Sequence, residues 1–276
     1  MSNIDTITPL IEQGQVDPVK TLLATSPTTH DDNAIIMFLQ MSIESMNLNV
    51  MRYLLDTYKP DSRSPLFCDK VSLASVGLGK TEAFKILTAY YPSILSWDLS
   101  HFGDALGHAV LANNLPLAHF ILKEAGCDPN KSQLAYQPTI EHAAYFGKYE
   151  MMQLLLKHGA QINGTKTLYK AMQSGSVSML SLLMSNTGGD INMIQPVEWS
   201  EGSEESDEVE LTPGPVLHLA VQTRNTAMVH ALVAKFGADP LVKDQSGRTA
   251  VDWARCIDDP AIDRLLDPTY KSCQIM

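Results

Sequence analysis

The sequence lacks the segments that would carry it into or across a membrane. It has no run of 18 apolar residues, and its first residues, MSNIDTITPL, hold no basic segment followed by an apolar one. We therefore expect neither a membrane span nor a secretory leader. The expected location is the cytoplasm, at a membrane face if a lipid is attached, with the nucleus as an alternative.

Paired cysteines are also missing. The four cysteines, Cys68, Cys127, Cys256 and Cys273, are far apart, with no C-x-x-C pair and no histidine at zinc-ligand spacing. Such thiols are typical of a reducing compartment, so we expect no disulfide and no structural zinc.

Clustered positive charge is the third absence. The 276 residues carry a net charge of −11, and seven of the 31 acidic residues fall in one stretch without a base, EWSEGSEESDEVE at 198–210. Binding to a phosphate backbone needs a basic face, so we expect no nucleic acid partner. With 45% hydrophobic residues the chain is still long enough to bury a large core.

Catalytic and metal-binding patterns are absent as well. The sequence shows no G-x-S-x-G, no H-E-x-x-H and no spaced Cys/His dyad. Its densest histidine group is His101 and His108 with Asp104 between them. On one helix these histidines would lie about 10.5 Å apart, which is too far to share a metal ion. We expect no catalytic residue, no metal and no cofactor.

What the sequence does contain is a repeated phrase of about 25 residues. It occurs as TIEHAAYFGKYEMMQLLLKHGAQIN from Thr139, TLYKAMQSGSVSMLSLLMSNTGGDIN from Thr167 and PVLHLAVQTRNTAMVHALVAKFGADP from Pro215. Each copy predicts a short helix with central alanines, a tight turn that often holds glycine, and a longer helix with paired aliphatic residues. No such helix pair can bury its apolar face alone, so the copies are expected to stack.

These phrases resemble the ankyrin repeat. Its T-P-L-H-x-A signature is visible in degraded form as VLHLA and most clearly in DQSGRTAVDWA, which runs from Asp244 to Ala254. The resemblance implies an all-α solenoid of helix–turn–helix units with short turn fingers. It also implies that His218, at the position of the signature histidine, is a structural hydrogen-bonding residue.

The position of the signature histidine serves as a marker for each unit. The eight marker residues are Thr8, Gln40, Leu73, Gly107, Glu141, Tyr169, His218 and Asp252. Their spacing is close to the family period of 33 residues, except for a shorter interval before Tyr169 and a longer one that contains the acidic stretch. We predict repeats one to six at 1–184, an acidic flexible insertion at 185–214, repeats seven and eight at 215–266 and a flexible tail at 267–276.

One stretch suggests a different function. ASVGLGKTEAFKIL, from Ala74 to Leu87, fits a loose phosphate-loop pattern. A phosphate loop needs a preceding strand and a distant strand that ends in Asp, and SILSWD follows Thr81 too soon for a crossover. We therefore predict that Gly79 lies in a turn between two helices and that Lys80 and Thr81 begin the second.

A candidate partner-binding site follows from the repeat register. Tyr145 and Phe146 occupy the two positions before the turn glycine which, in ankyrin repeat proteins, face the groove beneath the fingers. Most equivalent residues in the other units are smaller or polar. Large aromatic residues in such a groove are expected hot spots, so we predict these two as anchors, with Trp97 and Tyr136 on neighbouring fingers.

The acidic stretch offers a second candidate. It combines Pro, Gly, Ser and like charges, which favours a mobile loop. Its Trp199 could instead belong to a docking motif for a basic partner.

The last four residues, Cys273 to Met276, read CQIM and resemble a C-a-a-X prenylation signal. The terminal Met is of the type associated with farnesyl transfer, and Ile275 is apolar. Gln274 is not aliphatic and only Lys271 is close by, so an unmodified tail is the alternative and an anchor would be weak or reversible. Modification would place a thioether on Cys273.

Taken together, these features favour a non-enzymatic interaction module or adaptor that presents a rigid groove to a partner protein. An enzyme or accessory biosynthetic protein that uses the groove as a small-molecule site is the alternative. It would need a cluster of groups with shifted pKa values.

Overall fold

The protein consists of two compact units, Met1–Thr139 and Ile140–Met276. The computed structural model describes residues 3–25, 31–77, 79–99, 103–187, 190–194 and 214–267. Both units are built from pairs of helices joined by short turns. No helix within these ranges combines the length and the apolar character needed to cross a membrane.

The first unit contains four helix pairs. They are α1 (Asn3–Glu12) with α2 (Val16–Thr25), α3 (Asp32–Glu44) with α4 (Leu48–Tyr58), α5 (Pro65–Phe67) and α6 (Leu73–Ser75) with α7 (Thr81–Tyr90), and α8 (Ala105–Leu111) with α9 (Leu115–His119). A π-helical turn, Cys68–Ser72, joins α5 to α6, and a second one, Phe120–Glu124, prolongs α9. Both lie inside helices that the repeat pattern predicts as regular.

The second unit contains the other pairs. They are α10 (Thr139–Tyr145) with α11 (Tyr149–Lys157), α12 (Thr167–Gln173) with α13 (Val177–Thr187), α14 (Val216–Gln222) with α15 (Thr226–Ala234), and α16 (Ala250–Ile257) with α17 (Pro260–Leu266). Each predicted marker residue lies in the first helix of its pair. The prediction of a helical repeat fold is thereby confirmed.

The turn within each pair has one backbone feature in common. The residue six places after the marker has a left-handed backbone in all eight pairs; these residues are Gly14, Met46, Gly79, Asn113, Gly147, Gly175, Arg224 and Asp258. At Gly147 the turn N–H bonds the carbonyl of Ala144, and the next N–H, of Lys148, bonds that of Ala143. This is a Schellman motif, which satisfies carbonyls left unpaired where the first helix ends.

A polar side chain directly after the left-handed residue ties neighbouring pairs of the first unit together. Three side chains make five such bonds: Asn47 Nδ2 to the carbonyls of Ile11 and Glu12 at 2.7 and 2.9 Å, Lys80 Nζ to those of Ile43 and Glu44, and Asn114 Nδ2 to that of Gly77 at 2.9 Å. Lys80 thus binds the end of a preceding helix, and Gly79 lies in a turn at φ 75°. Both findings agree with the rejection of a phosphate loop.

The core of each unit is formed by aliphatic side chains from both helices of every pair. The second helices contribute fully or nearly fully buried pairs, among them Leu54 with Leu55, Ile86 with Leu87, Ile121 with Leu122 and Leu232 with Val233. Small residues in the first helices, such as Ala143 and Ala144, are buried completely. Close packing of this kind is what stacked helix pairs need, because one pair cannot cover its own apolar face.

The finger between α9 and α10 departs from the expected simple turn. It is a two-stranded antiparallel hairpin, β1 (Gln133–Leu134) and β2 (Gln137–Pro138), whose tip residues Ala135 and Tyr136 both have positive φ. The hairpin lies against α8 so closely that a Cβ on Gly107 would come within 2.6 Å of the Gln133 carbonyl oxygen. Only glycine fits at that position of α8.

Candidate functional site

The aromatic pair predicted from the sequence lies at the end of α10. Tyr145 is its last residue and Phe146 follows it, just before the left-handed Gly147. The two side chains are 47% and 50% exposed, and their rings meet edge to face with centroids 5.1 Å apart. The two alanines before them are buried, so Tyr145 and Phe146 form the exposed apolar surface at this helix end.

Two lysines contact this pair. The Nζ atom of Lys148 lies 5.1 Å from the centroid of the Phe146 ring, and Nζ of Lys170, on α12, lies 5.3 Å from that of Tyr145. The same Lys170 atom is 5.8 Å from the centroid of Tyr169. Cation–π attraction at these distances favours fixed positions for the ammonium groups.

The remaining neighbours complete the surface. The imidazole ring of His142 stacks on Phe146 with an interplanar angle of 21°, and Gln173 Nε2 donates to the Tyr169 hydroxyl at 3.0 Å. We name this surface the aromatic–lysine patch; its residues are His142, Tyr145, Phe146, Lys148, Tyr169 and Lys170. It is formed by α10, α12 and the turn after α10.

The charge of the aromatic–lysine patch is positive, because its six residues include two lysines and no acidic residue. The stretches 142–149 and 164–189, which contain all of its residues, hold no Asp or Glu. Glu141 precedes the first stretch and the exposed Glu150 follows it. Glu141 is buried, and its Oε1 accepts a hydrogen bond from the Lys166 backbone N–H at 2.8 Å. Burial also lowers the pKa of Lys148, because the surrounding protein replaces part of the water around its ammonium group.

Sequence reasoning found the aromatic pair but missed the lysines, Tyr169 and His142. A signal was present, because a chain of net charge −11 with no acid in residues 164–189 departs from its own average. The pairing of Lys170 with Tyr145 could not be seen, since it depends on how α12 packs against α10.

The other predicted anchors are placed in the first unit. Trp97 is half-buried, and its ring packs edge to face on the buried Phe67 at 6.4 Å. Tyr136 is 79% exposed at the tip of the hairpin. Trp97 therefore contributes at least one ring edge to internal packing, whereas Tyr136 projects from its finger.

A small cavity lies beside these fingers. It measures about 240 Å³ and is lined by Ser96, Asp98, Gly103, Asp104, Lys131, Gln133 and Tyr136. Burial raises the pKa of Asp104, against the effect of hydrogen bonds from the Gly107 N–H and the Ser132 hydroxyl. The bond from the Gly107 N–H makes Asp104 the N-cap of α8, so its carboxylate stabilises the start of that helix.

The remaining candidates lie partly outside the described chain. Trp199 and Cys273 fall outside the described residues, as does His101. His108 Nε2 lies 3.3 Å from the Leu99 carbonyl oxygen. In the part of the chain that the structure describes, no three His, Cys, Asp or Glu side chains are grouped to hold one metal ion.

Comparison with known families agrees with the geometry. A model described as ankyrin repeats in three copies matches residues 106–195, and a single ankyrin repeat model matches residues 216–245. The chain is an ankyrin repeat protein. Proteins of this kind generally act through protein–protein interaction.

Solved structures show the same fold. The ankyrin repeat domain of Bcl-3, a member of the IkappaB protein family, aligns with a TM-score of 0.62 at 20% identity, over 83% of this chain and 96% of that one. The ankyrin repeat protein EF0377 aligns with a TM-score of 0.51 at 23% identity, over 67% of this chain and 89% of that one. No curated protein sequence matches this ankyrin repeat protein. At these sequence identities the structural matches show the fold alone.

Proposed function

We propose that this ankyrin repeat protein is a non-enzymatic adaptor that binds a partner protein at the aromatic–lysine patch. The observation that carries the proposal is the pair Tyr145 and Phe146, two adjacent aromatic side chains that are half exposed and held in place by neighbouring cations. Rigid aromatic groups lose little entropy on binding, and they are the commonest hot spots of protein interfaces.

The test is a double substitution, Tyr145→Ala with Phe146→Ala. We expect the variant to lose partner proteins that the unchanged chain retains in affinity purification from its native cells, while its thermal midpoint stays nearly unchanged. Leu241→Ala is the control, because it truncates another apolar side chain that is 67% exposed.

Retention of the same proteins by all three chains would contradict the proposal. A large drop in the thermal midpoint of the double variant would also contradict it, since that would mean that the two rings act as core. An aromatic pair at a surface contributes only about 0.5–1.5 kcal/mol beyond its buried area.

The alternative of a small-molecule enzyme has less support. The finger cavity beside Tyr136, at about 240 Å³, is smaller than the roughly 300–1,000 Å³ usual for ligand pockets. A larger hollow of about 500 Å³, beside Gln161 and Asn163, is lined by no titratable side chain of the described residues. The carboxylate of Asp104 in its wall is already engaged as a helix cap.

A membrane tether is a second part of the proposed function. We propose that Cys273, in the sequence CQIM, is farnesylated and displays the repeats at a cytoplasmic membrane face. One prenyl chain without a basic neighbour segment supports only weak and reversible binding. Intact mass of the chain made in a eukaryotic host is expected to show loss of the last three residues and gain of a prenyl group. A mass that still includes Met276 and a free thiol would contradict it, and Cys273→Ser is the control.

A further inference from the structure

We infer that the aromatic–lysine patch binds an acidic peptide segment that carries an apolar side chain. This inference rests on the proposed function and specifies the chemistry of the partner. It combines two properties of one surface: the exposed halves of two aromatic rings, and two lysines in stretches of sequence, 142–149 and 164–189, that hold no acidic residue.

The aromatic part offers the apolar contact. The alanines that precede the pair are fully buried, so Tyr145 and Phe146 present an apolar area at the end of α10, next to polar side chains. The ammonium groups of Lys148 and Lys170 lie over the rings in cation–π contacts. An aliphatic or aromatic side chain of a partner would remove the exposed ring surface from water, which is the main source of affinity at such sites.

The lysines offer the contact for an anion. Lys170 lies over two tyrosine rings and makes no ion pair with any residue that the structure describes. Its ammonium group carries three donors, and a contact with a ring face engages only part of them. A carboxylate that binds there gains a charge-assisted hydrogen bond without displacing a competing acid.

The net charge of the whole chain and the local charge of the patch have opposite effects on an acidic ligand. With a net charge of −11 the chain as a whole repels an acidic ligand. At physiological ionic strength exposed charges beyond about 8 Å are largely screened, so the local lysines decide binding. A phosphorylated ligand is less suited, because arginine provides the fork that binds phosphate bidentately and the patch contains lysine only.

Fluorescence anisotropy with the full chain tests the inference. The probes are three labelled synthetic peptides: one of alternating glutamate and serine with a single central tryptophan, one with every glutamate replaced by glutamine, and one with the tryptophan replaced by serine. We expect the first peptide to bind, and the other two to bind at least about tenfold more weakly, since each lacks one of the two contacts.

Lys170→Gln and Lys235→Gln form a matched pair of variants. Each removes one positive charge from a lysine near an aromatic ring of the second unit, since Lys235 Nζ lies 5.4 Å from the Phe236 centroid. We expect Lys170→Gln to weaken binding of the acidic peptide about three- to tenfold, and Lys235→Gln to leave it within about twofold. Equal effects of the two substitutions would overturn the inference.

The outcomes separate partner chemistry from the proposed function. If the glutamine peptide binds as well as the acidic one, and Tyr145→Ala with Phe146→Ala removes both, the acidic partner is wrong and the interaction site stands. If no peptide binds but the proteins captured in the native cells still depend on the aromatic pair, the inference fails alone. If neither readout depends on the pair, both fail.

Three other occupants are distinguished in the same assay. A tenfold gain in peptide affinity on replacement of residues 198–210 by a Gly-Ser linker would identify the chain's own acidic segment as the occupant. Sedimentation that shows a dimer lost in Lys170→Gln would identify a second copy. Binding only after serine is phosphorylated would identify a phosphopeptide. The second and third results would overturn the inference, and the first would overturn its assignment to a separate partner.

Discussion

At the scale of single residues, the clearest regularity is the left-handed residue six places after each marker. Glycine fills it in four of the eight turns, and Met46, Asn113, Arg224 and Asp258 fill the others. The glycines could be predicted, because glycine adopts positive φ at no steric cost. The non-glycine members could not, since their positive φ is seen only in the folded turn, where the N–H groups of Met46, Asn113 and Arg224, and of the residue after each, make Schellman bonds.

Gly147→Ala tests whether glycine is favoured at this position by its positive φ or by a lack of space for a side chain. A Cβ at Gly147 would meet no atom within 4 Å, so the cost comes from φ 63° alone. We expect a loss of about 1 kcal/mol in the free energy of unfolding, measured by denaturant titration.

Gly77→Ala is the matched control for that substitution. Gly77 lacks a positive φ, and a Cβ there would make only ordinary contacts at 3.8 Å. We expect no loss of stability from this alanine. A similar loss in both variants would show that backbone conformation is not the cause.

At the scale of elements, the helix pairs could be predicted and the finger between α9 and α10 could not. Paired aliphatic residues and central alanines recur along the sequence, and they fix which faces pack. The hairpin tip is Ala135–Tyr136, whereas Asn-Gly or Asp-Gly is the usual signal for a turn with two positive φ values. The π-helical turns likewise depend on hydrogen-bond register, which carries no strong sequence signal.

The predicted anchors differ in exposure, and their role as anchors stays a prediction. The repeat register places Tyr145 and Phe146 at a helix end, where the structure finds them half exposed. Trp97 was predicted from its aromatic character and its finger position, but its ring packs on Phe67. Whether an aromatic residue in a finger points outward depends on tertiary contacts that the sequence does not show.

The hydrogen bond between His218 of α14 and the loop before α16 predicts a dependence of stability on pH. His218 is fully buried, and its Nε2 lies 3.2 Å from the Arg248 carbonyl oxygen. Burial lowers the pKa of His218, against the opposing effects of the Arg248 bond and the nearby Asp244 carboxylate. The neutral ring is therefore the form that fits the fold.

The sign follows from proton linkage. The unfolded chain binds a proton at His218 more readily than the folded one, so stability is full above the unfolded pKa of about 6.5 and falls as pH drops below it. We expect the free energy of unfolding to decrease between pH 7.5 and pH 5.5. In His218→Gln that part of the pH dependence should disappear, although the variant is less stable at pH 7.5. An unchanged pH profile in the variant would exclude His218 as its source.

At the scale of the whole molecule, the stretch that carries most of the net negative charge is separate from the helix pairs that carry the buried core. The stretch 198–210 contributes seven acidic residues and lies outside the described residues, between α13 and α14. The helix pairs on either side have buried apolar side chains of their own, such as Leu180 and Leu183 before it and Leu217 and Leu219 after it. Stability of a repeat protein is approximately a sum over pairs and their neighbours, so a segment without apolar periodicity adds little to it.

Replacement of residues 198–210 by a Gly-Ser linker of equal length is therefore expected to leave the fold intact. Like charges repel one another and the stretch has no apolar pattern, so its loss removes repulsion and no core contact. We expect an unchanged far-ultraviolet circular dichroism spectrum and a thermal midpoint equal to or slightly above that of the unchanged chain. A second variant, with every Asp and Glu of the stretch changed to Asn or Gln, separates charge from sequence. A cooperative loss of α14 to α17 in the linker variant alone, seen as protease cleavage after α13, would show that the stretch packs as a finger and refute the prediction.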